Sequence, residues 1–198
     1  MLTSIFQAIG LFVATNIDDI IVLSLFYARG AGQRGTTVKI LLGQYLGFGG
    51  ILVTAVLVTV GARSFLPEAA LPYFGLIPLL LGLYAAWNAW RGDDDDDDEG
   101  KVAGKSVSVL TVAAVTFANG GDNIGVYVPV FATVSTTAVV AYCIVFLVLV
   151  AVLVALARFV ATRRPIAEVL ERWEHILFPI VLIGLGVVIL VEGGAFGI

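Results

Sequence analysis

Apolar positions along this chain run in unbroken blocks rather than alternating, and a helix of about 17 to 25 such residues spans the hydrocarbon core of a bilayer. Six blocks can be placed, at Thr3 to Phe26, Val38 to Val60, Tyr73 to Trp90, Ser108 to Phe131, Thr137 to Val160 and His175 to Val191. Short polar connections separate them. A membrane barrel would show short segments of alternating character instead. The expected fold is therefore an all-α membrane protein of six transmembrane helices, with backbone polar groups satisfied within each span.

Two blocks are interrupted near their centres. The first contains Ala14-Thr15-Asn16-Ile17-Asp18-Asp19-Ile20, and the fourth contains Ala118-Asn119-Gly120-Gly121-Asp122-Asn123-Ile124. An acidic residue at that depth costs roughly 2.5 to 3.5 kcal/mol on insertion scales, so it faces a partner, a cavity or a transported ion. The interruptions also match one another. Ala14, Asp18, Ile20, Val22 and Ala28 recur after 104 residues as Ala118, Asp122, Ile124, Val126 and Ala132, and Asp19 is answered by Asn123. Pro78 in the third block has a counterpart in Pro179 of the sixth. Three spans is an odd number, so the second unit enters the membrane from the opposite face. The pattern predicts two inverted three-helix repeats, residues 1–91 and 108–198, with broken first and fourth helices and a linker at 92–107.

Composition narrows the class. With 60% hydrophobic residues, 13% charged residues and a mean hydropathy of +1.03, this is no ordinary soluble domain, in which about a quarter of residues are charged. The first block has no basic flank before it and carries Asn16, Asp18 and Asp19, which argues against a cleaved signal peptide. Ten of the 11 Lys and Arg residues flank the first, third and fifth connections, and Arg63 alone lies on the other side. The positive-inside rule then places those connections in the cytoplasm and both termini outside. The single cysteine, Cys143, excludes an internal disulfide and a thiolate-rich metal site, and is expected to pack within the fifth span.

Other features have two readings each. The run Asp93 to Glu99 is a solvated cytoplasmic linker, or else a collector of cations at the cytoplasmic mouth. Pro165, Ile166, Val169, Leu170 and Trp173 fall at helical spacing among charged residues, as in an interfacial amphipathic helix. His175 follows at the membrane boundary, in a solvated or capping role. Gly43 and Gly47 have the GxxxG spacing of close helix packing, within one chain or in a homodimer. Pro78 and Pro179 are expected to bend their spans, as packing kinks or as hinges.

The candidate chemistry lies at the interruptions. Neighbours on a continuous helix point about 100° apart, so Asp18 and Asp19 need local unwinding to share a ligand. Asn16 and Gly120-Gly121 favour such unwinding, which also frees backbone carbonyls. The candidate metal ligands are the carboxylates of Asp18, Asp19 and Asp122 and the amide oxygens of Asn16, Asn119 and Asn123. Up to three negative charges with several neutral oxygens suit a divalent cation. The structural alternative is that these residues simply bond across helices.

Asn16-Ile17-Asp18-Asp19, together with Phe117-Ala118-Asn119-Gly120-Gly121-Asp122-Asn123-Ile124-Gly125-Val126-Tyr127-Val128-Pro129, resembles the two signature stretches of the CadD-type cadmium-resistance transporters of the LysE superfamily. The resemblance covers essentially the whole chain and implies export of cadmium, or another divalent metal, across the cell membrane. The acidic central run is not part of it. Oxygen ligands by themselves favour magnesium, calcium or manganese, and only the resemblance speaks for Cd2+. No GxxxxGK[ST] motif is present, so transport is expected to run on gradients by alternating access, with no enzyme activity. The expected partners are the metal cargo and the lipid bilayer, without nucleic acid and without a resident cofactor. Competing readings are an exporter of Mn, Zn, Ca or Mg, a cationic amino-acid exporter, a purely structural membrane subunit, and an intramembrane aspartyl protease. The protease reading needs two Asp on separate spans and a Gly-x-Gly-Asp sequence, where this chain has Asn119-Gly120-Gly121-Asp122.

Overall fold

The protein is described here by a computed structural model covering residues 2–91 and 107–195. Over the described residues it is helical and has no strand. The order is α1 (Leu2–Thr15), α2 (Ile17–Arg29), α3 (Thr36–Phe65), a 3₁₀ helix (Glu68–Gly75), α4 (Leu76–Arg91), α5 (Val109–Asn119), α6 (Gly121–Thr133), α7 (Thr136–Val160) and α8 (Arg164–Glu192). Three helical stretches are long and apolar enough to cross a membrane, Thr36–Phe65, Ala69–Asn88 and Thr136–Val160. The pair α1 and α2, bent by 55° where they meet, makes a fourth if counted as one broken span. The apolar helices Val109–Asn119 and Pro179–Glu192 are shorter.

The six apolar blocks all fall on helices, but their edges and interiors differ from expectation. The third block opens as a 3₁₀ helix, and Pro78 sits in the first turn of α4, where no intrahelical donor is needed. Pro179 lies inside a helix that runs on from Arg164 to Glu192, so the expected amphipathic segment and the last block share one element. The acidic run Asp93 to Glu99 lies outside the described residues, as do the side chains of 164–175, His175 among them.

The helices interlock across the two halves of the chain. α3 lies along α5 and α6, α7 lies along α1 and α2, and α4 packs on α8. Lipid tails are as apolar as leucine, so such contacts depend on close approach rather than on escape from water. Small residues supply it. A Cβ on Gly47 of α3 would come within 2.6 Å of the Ala113 carbonyl and 2.7 Å of the Thr116 side chain on α5. One on Gly186 of α8 would meet the Leu79 amide of α4 at 2.6 Å. The Gly43/Gly47 spacing therefore serves packing within the chain.

Polarity is arranged inside out. Phe6, Leu57, Leu110 and Val148 are exposed, whereas Asn16, Asp19, Gln44, Thr116 and Asn123 are buried. Phe12, Phe48, Tyr127, Phe131, Tyr142 and Phe146 form a continuous aromatic cluster, with Tyr127 and Phe146 centroids 4.9 Å apart. Trp87 and Trp90 meet edge to face near the end of α4 with Arg91 over the Trp87 ring, an arrangement suited to the headgroup region. Cys143 lines an apolar groove with Leu52, Val56 and Leu147, in keeping with a packing role.

Two neighbouring glycines test this packing. Gly47→Ala should lower stability in detergent by about 1–3 kcal/mol through overpacking. Gly49→Ala, where a Cβ meets nothing within 4 Å, should be neutral or raise stability by up to about 1 kcal/mol through helix propensity. Equal melting of the two variants would contradict the α3–α5 contact.

Candidate metal site at the helix breaks

The membrane-embedded carboxylates lie where helices stop and restart. α1 ends at Thr15 and α2 begins at Ile17, with Asn16 between them at φ −133° and ψ 19°. α5 ends at Asn119 and α6 begins at Gly121, with Gly120 between them at φ −80° and ψ 19°. The breaks are 104 positions apart, and α2 and α6 have 13 residues each. Each restart puts acid into a first turn, Asp18 and Asp19 in α2 and Asp122 in α6. The positive end of a helix dipole stabilises a carboxylate there by about 0.3–1 kcal/mol, and by up to ~2 kcal/mol when partly buried. The ends of α1 and α5 bring C-terminal carbonyl groups to the same places. The breaks thus supply both compensation for anions and ligands for cations.

One polar chain connects the halves. Asn119 Nδ2 donates to Asp18 Oδ2 at 2.6 Å and to Asp19 Oδ1 at 3.2 Å. Gln44 Nε2 donates to Asp19 Oδ2 at 2.8 Å, and Thr116 Oγ1 donates to Gln44 Oε1 at 2.5 Å. Asp19 is only 2% exposed and Gln44 is fully buried. Asp18 and Asp19 thus reach one amide despite their different directions around α2. The reason is placement, since Asn119 closes α5 and faces the first turn of α2. Gln44 and Thr116 were not among the candidate ligands. A glutamine between Gly43 and Gly47 in mid-span was the available signal, because the glycines that admit α5 also admit its polar groups.

A second polar group surrounds Tyr127. Asn16 Nδ2 donates to the Phe12 carbonyl at 2.8 Å, to Thr15 Oγ1 at 2.9 Å and to the Tyr127 hydroxyl at 3.1 Å. Thr15 and Tyr127 hydroxyls are 2.9 Å apart, and Thr15 Oγ1 also donates to the Leu11 carbonyl. Asp122 Oδ1 accepts from the Asn123 backbone amide at 2.8 Å. The side-chain oxygens of Asn16 and Asn123 are buried and have no hydrogen-bond partner.

Of the six predicted ligands, Asp18, Asp19 and Asn119 are brought together. Asn16 belongs to the Tyr127 group, and Asp122 and Asn123 stand at the start of α6. Among the described residues no three Asp, Glu, His or Cys side chains gather as a metal set. Asp122 Oδ1 caps the first turn of α6 through the Asn123 amide.

Carboxylates at paired helix breaks, Asp19 buried and Asp18 and Asp122 half-buried, in an apolar all-helical chain define the class of membrane proteins that handle ions. The chain belongs to the cadmium resistance transporter family, whose model matches residues 12–198 and so takes in both breaks. Metal-ion transport and resistance follow from that membership. No curated protein and no solved structure matches the chain.

Gln44→Leu removes the hydrogen bonds that join Gln44 to Asp19 Oδ2 and to the Thr116 hydroxyl. The loss should be about 1–3 kcal/mol, the usual penalty for lost buried hydrogen bonds. Thermal unfolding of the purified variant measures it, and a melting point equal to the wild type would deny Gln44 a structural share in the site.

Proposed function

We propose that the protein exports a divalent cation, cadmium foremost, across the cell membrane as a gradient-driven alternating-access carrier. The observation that carries this reading is the single Asn119 amide lying between the carboxylates of Asp18 and Asp19. Two adjacent acids are held there by neutral donors from Asn119 and Gln44, an arrangement a dication can replace with much stronger attraction. Rotation of the Asn119 amide would exchange a donor for the ligand oxygen Oδ1. Asp122, Asn123 and Asn16 offer further oxygens along the same seam as the halves move. Metal binding would release protons held by these groups, a route to antiport. An oxygen set holds cadmium less tightly than thiolates would, and a carrier must release its cargo.

The six-span inverted repeat is part of the proposal. It is supported by the matched breaks and by the reciprocal packing of α3 on α5–α6 and α7 on α1–α2. Both termini are proposed to lie outside, with the acidic connection in the cytoplasm. Arg63, the lone basic residue on the outer side, has a local task that explains it. Its guanidinium donates to the Phe131, Ala132 and Val134 carbonyls and caps the C-terminal end of α6. Beside it a cavity of about 690 Å³, lined by Thr133, Ser135 and Thr136 among others, offers an exit vestibule. A protease reading is disfavoured because the two acids brought together are neighbours on α2 rather than partners on separate spans.

Asp18→Asn and Asp122→Asn should each abolish cadmium tolerance in cells that express wild-type amounts of the protein. Full tolerance in either variant removes that residue from the site. In purified protein, cadmium should raise the melting point more than zinc, manganese, calcium or magnesium does, and an equal or larger rise with another of these ions would reassign the cargo.

A further inference from the structure

An asparagine just before a helix ordinarily turns its side-chain oxygen onto the backbone amide two or three residues further on. Asn16 holds that position before α2 and makes no such bond. Its amide is turned the other way. Nδ2 donates to the Phe12 carbonyl one turn back on α1, to Thr15 Oγ1 and to the Tyr127 hydroxyl. Asn16 is 1% exposed, and its Oδ1 has no hydrogen-bond partner. A buried amide oxygen withheld from its usual helix cap costs stability unless something else takes it. Under the export reading, the cargo does.

Two of the acceptors that hold the nitrogen, Phe12 and Thr15, belong to α1, and the third reaches across from α6. Hydrogen placement fixes the direction of the whole group. The Thr15 hydroxyl donates to the Leu11 carbonyl, so the hydrogen between Thr15 and Tyr127 comes from the tyrosine, whose oxygen is left to accept from Asn16. None of these hydrogens is then available to Asn16 Oδ1. The tyrosine is itself held in place. Tyr127 is fully buried, with its ring stacked on Phe131 at 6.0 Å, 4.9 Å from Phe146 and 6.3 Å from Phe48. Rings from α3, α6 and α7 thus set the hydroxyl, which lies in the field of both Asp19 and Asp122.

We infer that Tyr127 is a positioning residue of the metal site, fixing the Asn16 amide from the opposite half of the chain so that Oδ1 is left free for the cargo. This rests on the export reading and deepens it by one residue. Tyr127 does not touch the ion. It acts through Asn16, in the way that hydrogen-bond partners of metal ligands set a ligand's orientation before the ion arrives. Asn16 is also the residue at the bend between α1 and α2, and Asp18 follows two positions later in the first turn of α2. The Tyr127 hydroxyl therefore ties the start of the acid-bearing turn to α6. Without it, Asn16 Nδ2 is held by α1 alone.

Calorimetric titration of the purified full chain in detergent with cadmium tests this through a matched pair of variants. Tyr127→Phe removes the hydroxyl and keeps the ring, and should weaken cadmium binding about tenfold, the lower end of what losing a ligand's orienting partner costs. Tyr142→Phe makes the same change in the same aromatic cluster, where the hydroxyl bonds Gln7 instead, and should leave binding unchanged. On an Asn16→Ala background, Tyr127→Phe should cost nothing further. Thr15→Val frees the tyrosine hydrogen to turn onto Asn16 Oδ1 and should weaken binding as Tyr127→Phe does, which decides the case if the Asn16 variant does not fold. Wild-type affinity in Tyr127→Phe or Thr15→Val, an equal loss in Tyr142→Phe, or a Tyr127→Phe loss undiminished on the Asn16→Ala background would each overturn the positioning role and leave the export reading in place. A wild type that binds no divalent cation would overturn both.

Discussion

Placing a carboxylate at the start of a helix is the interaction on which the rest of this structure depends. In a hydrocarbon environment Asp18, Asp19 and Asp122 would be prohibitively costly on a continuous helix facing lipid, with neither water nor a cation at hand. A break just upstream changes the local field, because α2 and α6 then point their positive ends and unsatisfied amides at those side chains. The break also requires protein on every side, since a disrupted backbone cannot face lipid. Short half-helices, a polar seam and a ring of long covering helices follow from that single requirement.

The covering helices meet it by close approach. α3 and α7 each lie against the broken helix of the opposite half, and glycine at the contact lets Gln44 and Thr116 come within 2.5 Å of one another. Packing and polarity are therefore one device here, because the same absence of side chains that seats α3 on α5 brings a neutral donor to Asp19. On the other side the aromatic cluster around Tyr127 and Phe146 closes the seam against the apolar exterior.

Much of this was legible in the sequence. Block lengths gave the helical class, and the costly residues Asp18, Asp19 and Asp122 marked the breaks, with Asn16 and Gly120 as the pivots. The GxxxG pair marked a packing face without naming the partner helix, which depends on how the halves interlock. Gln44 and Tyr127 were harder to see. Each lies in a run that reads as ordinary span, and each acquires its role only through a neighbour from the other half of the chain. The place of Pro78 in a first turn was not legible, because periodicity does not reveal that a 3₁₀ helix precedes α4. The bond from the Asn123 amide to Asp122 was not legible either, because a first-turn carboxylate takes up a local amide that no long-range pattern records.

The capping of α6 by Arg63 has a mechanical consequence. It fastens the far end of α6 to α3, while Gly43 and Gly47 fasten α5 to the same rod, so these three elements form a strut drawn from both halves of the gene. α7 with α1 and α2 makes the complementary strut. Under the proposed carrier mechanism the bodies that would rock against each other are these hybrids rather than residues 1–91 and 108–198, and the Asn119 amide reaches from one to the other.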